Sequence, residues 1–573
     1  MAGRTFDQLI DFTRTSAATF VNSSGNIAST AQSRNLLTFT QQFDNAAWTK
    51  TRSTITANTT TAPDGTSTAD TLNEDSTASS THPVSVAVTL AAAAHTLSLY
   101  VKASGRSWVQ LNLLSTANAF ANFNVATGAL GTVGSAATAT ITSVGNGWYR
   151  CTMTATTGAG ANTVAIYPTS ADNTVSFTGT GIASLFIWGA QLEQASAATD
   201  YTRNVGGLFP PRFDYDPVTR APRGLLIEEQ RTNLLTYSEQ FDNAAWTKSS
   251  ATVTANATVA PDGTTTADRL IPAAASVDGR AAQTFTGSAG ATYTLTVFGK
   301  ADAFNNIRLY SDDGATNLAS VSYNLATGAV STAANVGGTW TAVSTTSAAV
   351  GNGWYRLSLT WTATGAAPTR AAIWCRDTGD GTSGIFIWGA QLEAGAFATS
   401  YIPTVASQVT RAADVAAITG PNFAPWYNQS AGTFVVEGSR LHGGNSYAAL
   451  AVARAAGGIT ERIDMGLGSG QGGSAGVSRD DVVVGGVNQA ALGDFAAFAA
   501  NTPYRGALAY AANDFASATS GANLATDASG TVPTVALLDL GNRNSGNFLN
   551  GHIRRLTFYP SRLSNAQLQA LTA

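Results

Sequence analysis

The chain has 573 residues, of which only 12% are charged, and a formal net charge of −4, so no basic face is available for nucleic acid. Its 56 glycines, with abundant Thr, Ser and Ala, point to a β-rich, turn-rich protein of several domains. No apolar run reaches the ~18 residues a membrane span needs, and Met1-Ala-Gly-Arg-Thr-Phe-Asp-Gln lacks an apolar signal region. The expectation is synthesis in the cytoplasm, with no signal peptide and no membrane insertion.

Residues 1–34 form a lead-in too short to be a domain. It reads equally as an attachment arm or as a strand completing the first large domain. That domain, residues 35–202, recurs at 233–403. Gln42–Lys50 and Gln240–Lys248 are identical over nine residues, at an offset of 198. Asn35-Leu36-Leu37 returns as Asn233-Leu234-Leu235, and Ala62–Thr66 as Ala260–Thr264. Val144–Arg150 returns as Val350–Arg356, and Phe186–Glu193 as Phe386–Glu393. A repeat this long is a duplicated domain. Within it the segments are short and alternate: Leu97, Leu99 and Val101 oppose Ser98, Tyr100 and Lys102, while Tyr149, Cys151 and Met153 oppose Trp148, Arg150 and Thr152. The fold class is all-β, with each repeat an antiparallel jelly-roll β-sandwich.

Between the repeats, residues 203–232 hold four prolines and read as a semi-rigid connector in which Gly224–Glu228 is strand-like. Residues 404–429 form a second junction. Residues 430–573 are a different sandwich, with strands around 432–438, 448–452, 481–484, 507–511 and 535–540, a last strand at 551–559, and a terminal helix capped by Ser564. Cys151 and Cys375 do not occupy matching repeat positions and no CxxC pattern exists, so both are expected as buried thiols.

The set of repeated motifs, Asn-Leu-Leu, Gln-Phe-Asp-Asn-Ala-Ala-Trp, Ala-Pro-Asp-Gly-Thr, Gly-Asn-Gly-Trp-Tyr-Arg and Ile-Trp-Gly-Ala-Gln-Leu-Glu, resembles the phage head spike fibre domain. That family belongs to tailed-phage, prophage and gene-transfer-agent virions and looks like a carbohydrate-binding jelly roll. The last domain is similar to concanavalin A-like, laminin-G-type sandwiches through Asn550–Leu556, Tyr559, Leu563-Ser564 and Leu571. The resemblance implies a virion surface spike, head fibre favoured, that binds host capsular or other cell-surface polysaccharide and promotes adsorption. It also implies attachment of the N-terminal segment to other virion proteins at a capsid vertex or spike base. Homo-oligomers are common among fibres, but no heptad or collagen repeat sets a number here. A tail fibre and a purely structural spacer are the alternatives, and a depolymerase is the enzymatic one; the expectation is no enzyme.

Sugar binding needs an aromatic platform with polar neighbours. In the first repeat Trp148, Arg150, Tyr100 and Lys102 share a face, and Trp354, Arg356, Phe298 and Lys300 do so in the second. An aromatic, a guanidinium and an ammonium together suit an anionic glycan. The competing reading is packing against a loop, which is the commoner fate of such tryptophans. Trp48, Trp246, Trp188 and Trp388, in the most closely repeated motifs, are expected in the core. Asp64 and Asp262 fit tight turns; a structural calcium with Asp70 and Asp268 lacks the six to eight oxygens required, so no cofactor and no metal is expected. Asp480, Asp481 and Asn488 read as a solvated loop. His82, His95, His442 and His552 show no metal spacing. Glu193 and Glu393 are expected as strand-end surface carboxylates, the only candidates for glycosidic hydrolysis.

Overall fold

The computed structural model describes residues 9–31, 33–207, 209–276, 278–441, 447–467, 478–495 and 500–573. The chain divides into two compact units. One holds residues 1–15, 31–210 and 417–426; the other holds 16–30, 211–416 and 427–573. His442 lies outside the described residues. Among the described residues no helix is long and apolar enough to cross a membrane.

The first unit contains the first repeat as two six-stranded antiparallel sheets. One runs Ala137–Gly145, Trp148–Thr157, Ala93–Ala103, Ala183–Glu193, Ala69–Glu74, Ser53–Thr60. The other runs Ala129–Val133, Phe120–Asn124, Trp108–Leu113, Gly160–Thr169, Val84–Leu90, Thr49–Lys50. The period-2 alternation decides which side chains meet. Leu97, Leu99, Val101, Cys151 and Met153 from one sheet share a buried cluster with Val109, Leu111, Leu113, Val164 and Ile166 from the other. The second repeat, in the second unit, copies this plan, with Leu295, Val297, Leu357 and Leu359 against Ile307, Leu309, Val321 and Ile373.

The repeated motifs are joints of this fold. Asn233 donates through Nδ2 to the carbonyls of Ala390 (3.1 Å) and Ile402 (2.9 Å), and its Oδ1 accepts from the Leu235 and Leu392 amides at 3.1 Å each. Asn35 repeats the pattern on Ala190, Thr202, Leu37 and Leu192. Lys50 Nζ donates to the carbonyls of Asp44 and Asn45, both at 2.7 Å, closing the Gln-Phe-Asp-Asn turn. Trp48 lies 4.9 Å from Phe43 inside the core and donates to the Phe39 carbonyl. Gly389 bends its strand with φ +63, where a Cβ would approach Phe298 to 2.9 Å. Trp48, Trp246, Trp188 and Trp388 are all buried, and Cys151 and Cys375 are free and buried.

Three expectations about the joints need correction. The proline-rich stretch is not simply a spacer. Arg212–Tyr215 pairs with Pro222–Ile227, and the latter pairs with the last strand, Gly551–Tyr559, through Leu225↔Ile553 and Leu226↔His552. Residues 212–227 are therefore edge strands of the C-terminal sandwich, and the second repeat is inserted between two parts of it. In the junction after that repeat, Val409–Arg411 pairs with Arg231–Asn233, closing the base of the insertion. Finally, residues 16–30 are neither a free arm nor a part of the first repeat. They form a hairpin in the second unit, Thr19–Val21 with Ile27–Ser29, whose Ile27 amide donates to the Pro261 carbonyl at 3.1 Å and whose Thr19 hydroxyl donates to the Tyr401 carbonyl.

A fully buried charge cluster ties these pieces together. Arg212 meets Glu228 at 2.8 Å and Asp414, and Arg411 approaches Glu228 at 3.4 Å and Asp414 at 3.7 Å. Arg212 also donates to the Thr19 carbonyl, and Glu228 accepts from both the amide and the hydroxyl of Ser400 at 2.7 Å. The two guanidiniums hold the Glu228 carboxyl well below the usual range despite its burial.

The C-terminal sandwich places Ala431–Arg440 between Gly551–Tyr559 and Tyr504–Ala511. Its facing sheet includes Leu537–Leu540, Ala448–Arg454, Arg462–Leu467, Ser478–Val484 and Val487–Phe495. Ser564 caps the terminal helix Asn565–Thr572 with a complete capping box. Asp480 and Asp481 lie on a strand and are buried, correcting the expected solvated loop; only Asn488 is exposed.

Candidate functional site

The structure places the eight residues expected to form sugar platforms on the face foreseen, but that face is covered. Trp148 and Trp354 are 1% and 2% exposed. Their indole N–H groups donate to the carbonyls of Thr61 and Val259 at 3.1 Å, beneath the Ala-Pro-Asp-Gly-Thr turn. Arg150 donates to the Thr199 carbonyl at 2.6 Å and Arg356 to that of Thr399 at 2.7 Å. Tyr100 packs edge-on against Trp188 at 5.2 Å, and buried Phe298 against Trp388 at 5.3 Å. Lys102 and Lys300 are half-buried at the same edge, with Lys300 Nζ 6.0 Å from the Trp354 ring. These side chains form a second, smaller core on the outside of the sheet. The period-2 pattern distinguished two faces but could not show that a turn and a tail segment roof the outer one.

The recurring acids are also structural. Glu193 and Glu393 are not surface groups: both are buried, accepting from Gln191 or Gln391 Nε2 at 2.7 Å and from the amide of Thr199 or Thr399 at 3.0 Å. Asp64 and Asp262 accept from the Thr66 and Thr264 amides at 2.9 Å, the turn geometry expected. Asp268 lines a cavity of about 370 Å³ with Glu239 and Asp242. Both its oxygens are engaged by backbone, the Phe241 amide at 2.8 Å and the Asn256 amide at 2.9 Å, while Glu239 accepts from the Tyr401 hydroxyl at 3.0 Å. Burial pushes Asp268 up to about 6 and its counterpart Asp70 up to about 7. Among the described residues no three metal-ligating side chains cluster.

A less covered face belongs to the other sheet of the second repeat. In the second repeat Ile307, Leu309 and Ile373 point into the core, so Arg308, Tyr310 and Trp374 stand on the opposite side. All three are half-buried. Trp374 sits opposite Arg280 on one neighbouring strand and opposite Arg308 on the other. Its ring lies 5.1 Å from that of Tyr310, tilted by 38°. The Arg280 guanidinium is 4.8 Å from the Trp374 centroid and that of Arg376 is 5.7 Å away. Arg376 pairs with Asp278, and Arg370 with Asp312, at the ends of the strands. Arg308 donates to the Ser322 hydroxyl at 3.0 Å, and burial followed by the neighbouring Arg376 lowers its pKa.

Register carries this face onto the first repeat. Gln110 opposite Tyr167 replaces Arg308 opposite Trp374, and Asn112 opposite Ala165 replaces Tyr310 opposite Ala372. There the amides are linked and the centre is closed: Gln110 and Asn122 are buried, Gln110 Nε2 donates to Asn122 Oδ1 at 3.2 Å, and half-buried Asn112 donates through Nδ2 to Gln110 Oε1 at 3.3 Å. Half-buried Tyr167 and Trp108 flank them. Sequence reasoning followed what the two copies share and so passed over these positions; the signal was in where they differ.

No protein-family model matches the chain, so the family likeness rests on the quoted motifs alone, and no curated protein matches it. Among solved structures, the chain is similar to the N-terminal CBM22-1–CBM22-2 tandem domain of Xyn10C from Paenibacillus barcinonensis, at 11% identity and a TM-score of 0.19, over 64% of this chain and 100% of that one.

Proposed function

We propose that the chain is a non-enzymatic glycan-binding protein whose second β-sandwich repeat binds polysaccharide on this half-buried aromatic face. The observation that carries this reading is the outward Trp374–Tyr310 pair flanked by Arg280 and Arg376, with half-buried Tyr167 at the matching position of the first repeat. Aromatic rings supply the apolar contact for a pyranose, and forked amides and guanidiniums match its hydroxyls and acidic groups. Rigid sheets hold these side chains in place without ordering a loop on binding. Copies of this face multiplied on a particle would turn weak single sites into firm adhesion.

The motif resemblance supports placing the protein on a virion surface, as a head spike or fibre in contact with other virion proteins, where it would promote adsorption to a bacterial cell. The test is binding of the purified chain to bacterial cells and to their extracted capsular polysaccharide, compared with the Trp374→Ala, Tyr167→Ala double variant. Saturable binding that the double variant loses while keeping its melting temperature supports the reading. Absence of binding to any polysaccharide favours a structural spacer, and shortening of the polymer would reveal an enzyme.

A further inference from the structure

We infer that the half-buried aromatic face of the second repeat is selective for acidic polysaccharide; this rests on the glycan-binding reading above. The two faces have the same backbone register and a matched aromatic position, Trp374 for Tyr167. Around that position the charge differs. Arg308 stands where the first repeat has Gln110, and Arg280, opposite Trp374, has no cationic counterpart because Pro83 precedes the first paired position, Val84.

Two guanidiniums, Arg280 and Arg376, lie close to one indole, Arg308 stands opposite it in register, and Asp278 is already paired with Arg376. Asp278 acts on Arg308 through space, but among the described residues neither Arg280 nor Arg308 makes an ion pair with a carboxylate. Arg308 spends its Nε–H on Ser322, which leaves the guanidinium NH2 groups for a ligand. A cationic cluster on a chain with net charge −4 is held against mutual repulsion, and an anionic group seated between Arg280 and Arg308 would relieve it. Arg–carboxylate and Arg–sulfate contacts are bidentate and roughly twice as strong as neutral hydrogen bonds. The corresponding centre of the first repeat carries no charge and is closed: Gln110 and Asn122 are buried and bonded to one another.

The experiment measures binding of the full chain to polygalacturonate, to its fully methyl-esterified neutral form and to dextran sulfate, at low and high salt. The proteins compared are the wild type, the Arg280→Gln, Arg308→Gln double variant and the Arg280→Lys, Arg308→Lys double variant. We expect tighter binding to an acidic polymer than to the neutral ester. The Gln variant should lose about 10- to 100-fold on the acidic polymer, the span of a charged hydrogen bond or two, and nothing on the ester. The Lys variant should keep the salt-sensitive part. The polygalacturonate and dextran sulfate arms tell a carboxylate from a sulfate ester, and binding to either upholds the inference if the Gln variant abolishes it. Should that variant misfold, the wild-type preference for acid over ester and its loss at high salt decide the matter. Equal binding of ester and acid, or acidic binding that the folded Gln variant retains, overturns the inference and leaves the glycan reading standing. No binding to any polymer overturns both.

Discussion

The Arg212 guanidinium lies 2.8 Å from the Glu228 carboxylate with neither side chain exposed to solvent, and Asp414 and Arg411 complete a balanced set of two positive and two negative groups. The four come from the strand before the second repeat, the turn that enters it and the segment that leaves it. Such a cluster costs desolvation on both sides, so its weight shows when one member is removed. Arg212→Ala leaves two buried carboxylates to share the single Arg411 guanidinium and should destabilise the second unit by about 3–5 kcal/mol, read as a shift in urea midpoint. A change under about 1 kcal/mol would mean that water reaches the cluster.

Trp354 and Trp374 should separate stability from binding. Trp354→Ala empties a buried site and breaks the bond to Val259, so a loss of about 3–5 kcal/mol is expected. Trp374→Ala removes a half-buried ring from an open face; it should cost stability much less and weaken polysaccharide binding at least several-fold. Thermal melts alongside titrations check both. Equal effects of the two variants on binding would return the site to the covered face.

Asp480 is buried between the sheets of the C-terminal sandwich, with Oδ2 accepting from the Ser517 hydroxyl at 2.6 Å. Burial, with Asp481 and Asp464 nearby, pushes it up to about 8. A carboxyl whose folded pKa exceeds its unfolded value of about 3.9 holds its proton more tightly in the native state. Its contribution is fully present below that unfolded value and is lost as pH rises through about 8. Asp480→Asn should keep the Ser517 bond and flatten the fall of stability between about pH 4 and 8. Melting curves of both proteins across that range provide the test; parallel curves would contradict it.

Asn233 satisfies four buried backbone groups with one side chain. Asn233→Ala leaves all four without that partner and should destabilise the second repeat by about 3 kcal/mol or more. Hydrogen exchange at Leu235 and Leu392 would quicken; unchanged exchange would show that other groups take over.

The repeats, their strands and the terminal helix were legible because each depends on a short-range signal: identity between copies, alternation along Thr96–Lys102, and Ser564 ahead of an apolar spacing. What was not legible depends on distant partners. Gly224–Glu228 showed itself as a strand, but nothing local shows that Leu225 pairs with Ile553. Alternation put Trp148 and Arg150 together on the outer side of a sheet, yet Thr61 and Thr199, which cover them, lie far off in sequence. The open site escaped for a different reason. In Ala371-Ala-Ile-Trp-Cys375 small and apolar residues occupy both faces, so the pattern does not distinguish the indole from the core.

The insertion of the second repeat into the C-terminal sandwich gives the chain an order of assembly. Pro222–Ile227 leaves the ribosome long before Gly551–Tyr559, the strand it must pair with, so during synthesis it is a bare sheet edge, the kind of surface that invites mispairing. The repeat between them can fold at once, since its two ends meet at Arg231–Asn233 and Val409–Arg411. By closing on itself it brings Glu228 and Asp414 together and leaves the edge waiting at a fixed place. A module closed at its own base is also exchangeable: a different β-sandwich repeat spliced between those two short strands would inherit the same mounting, so the inserted domain can change while the sandwich that carries it stays the same.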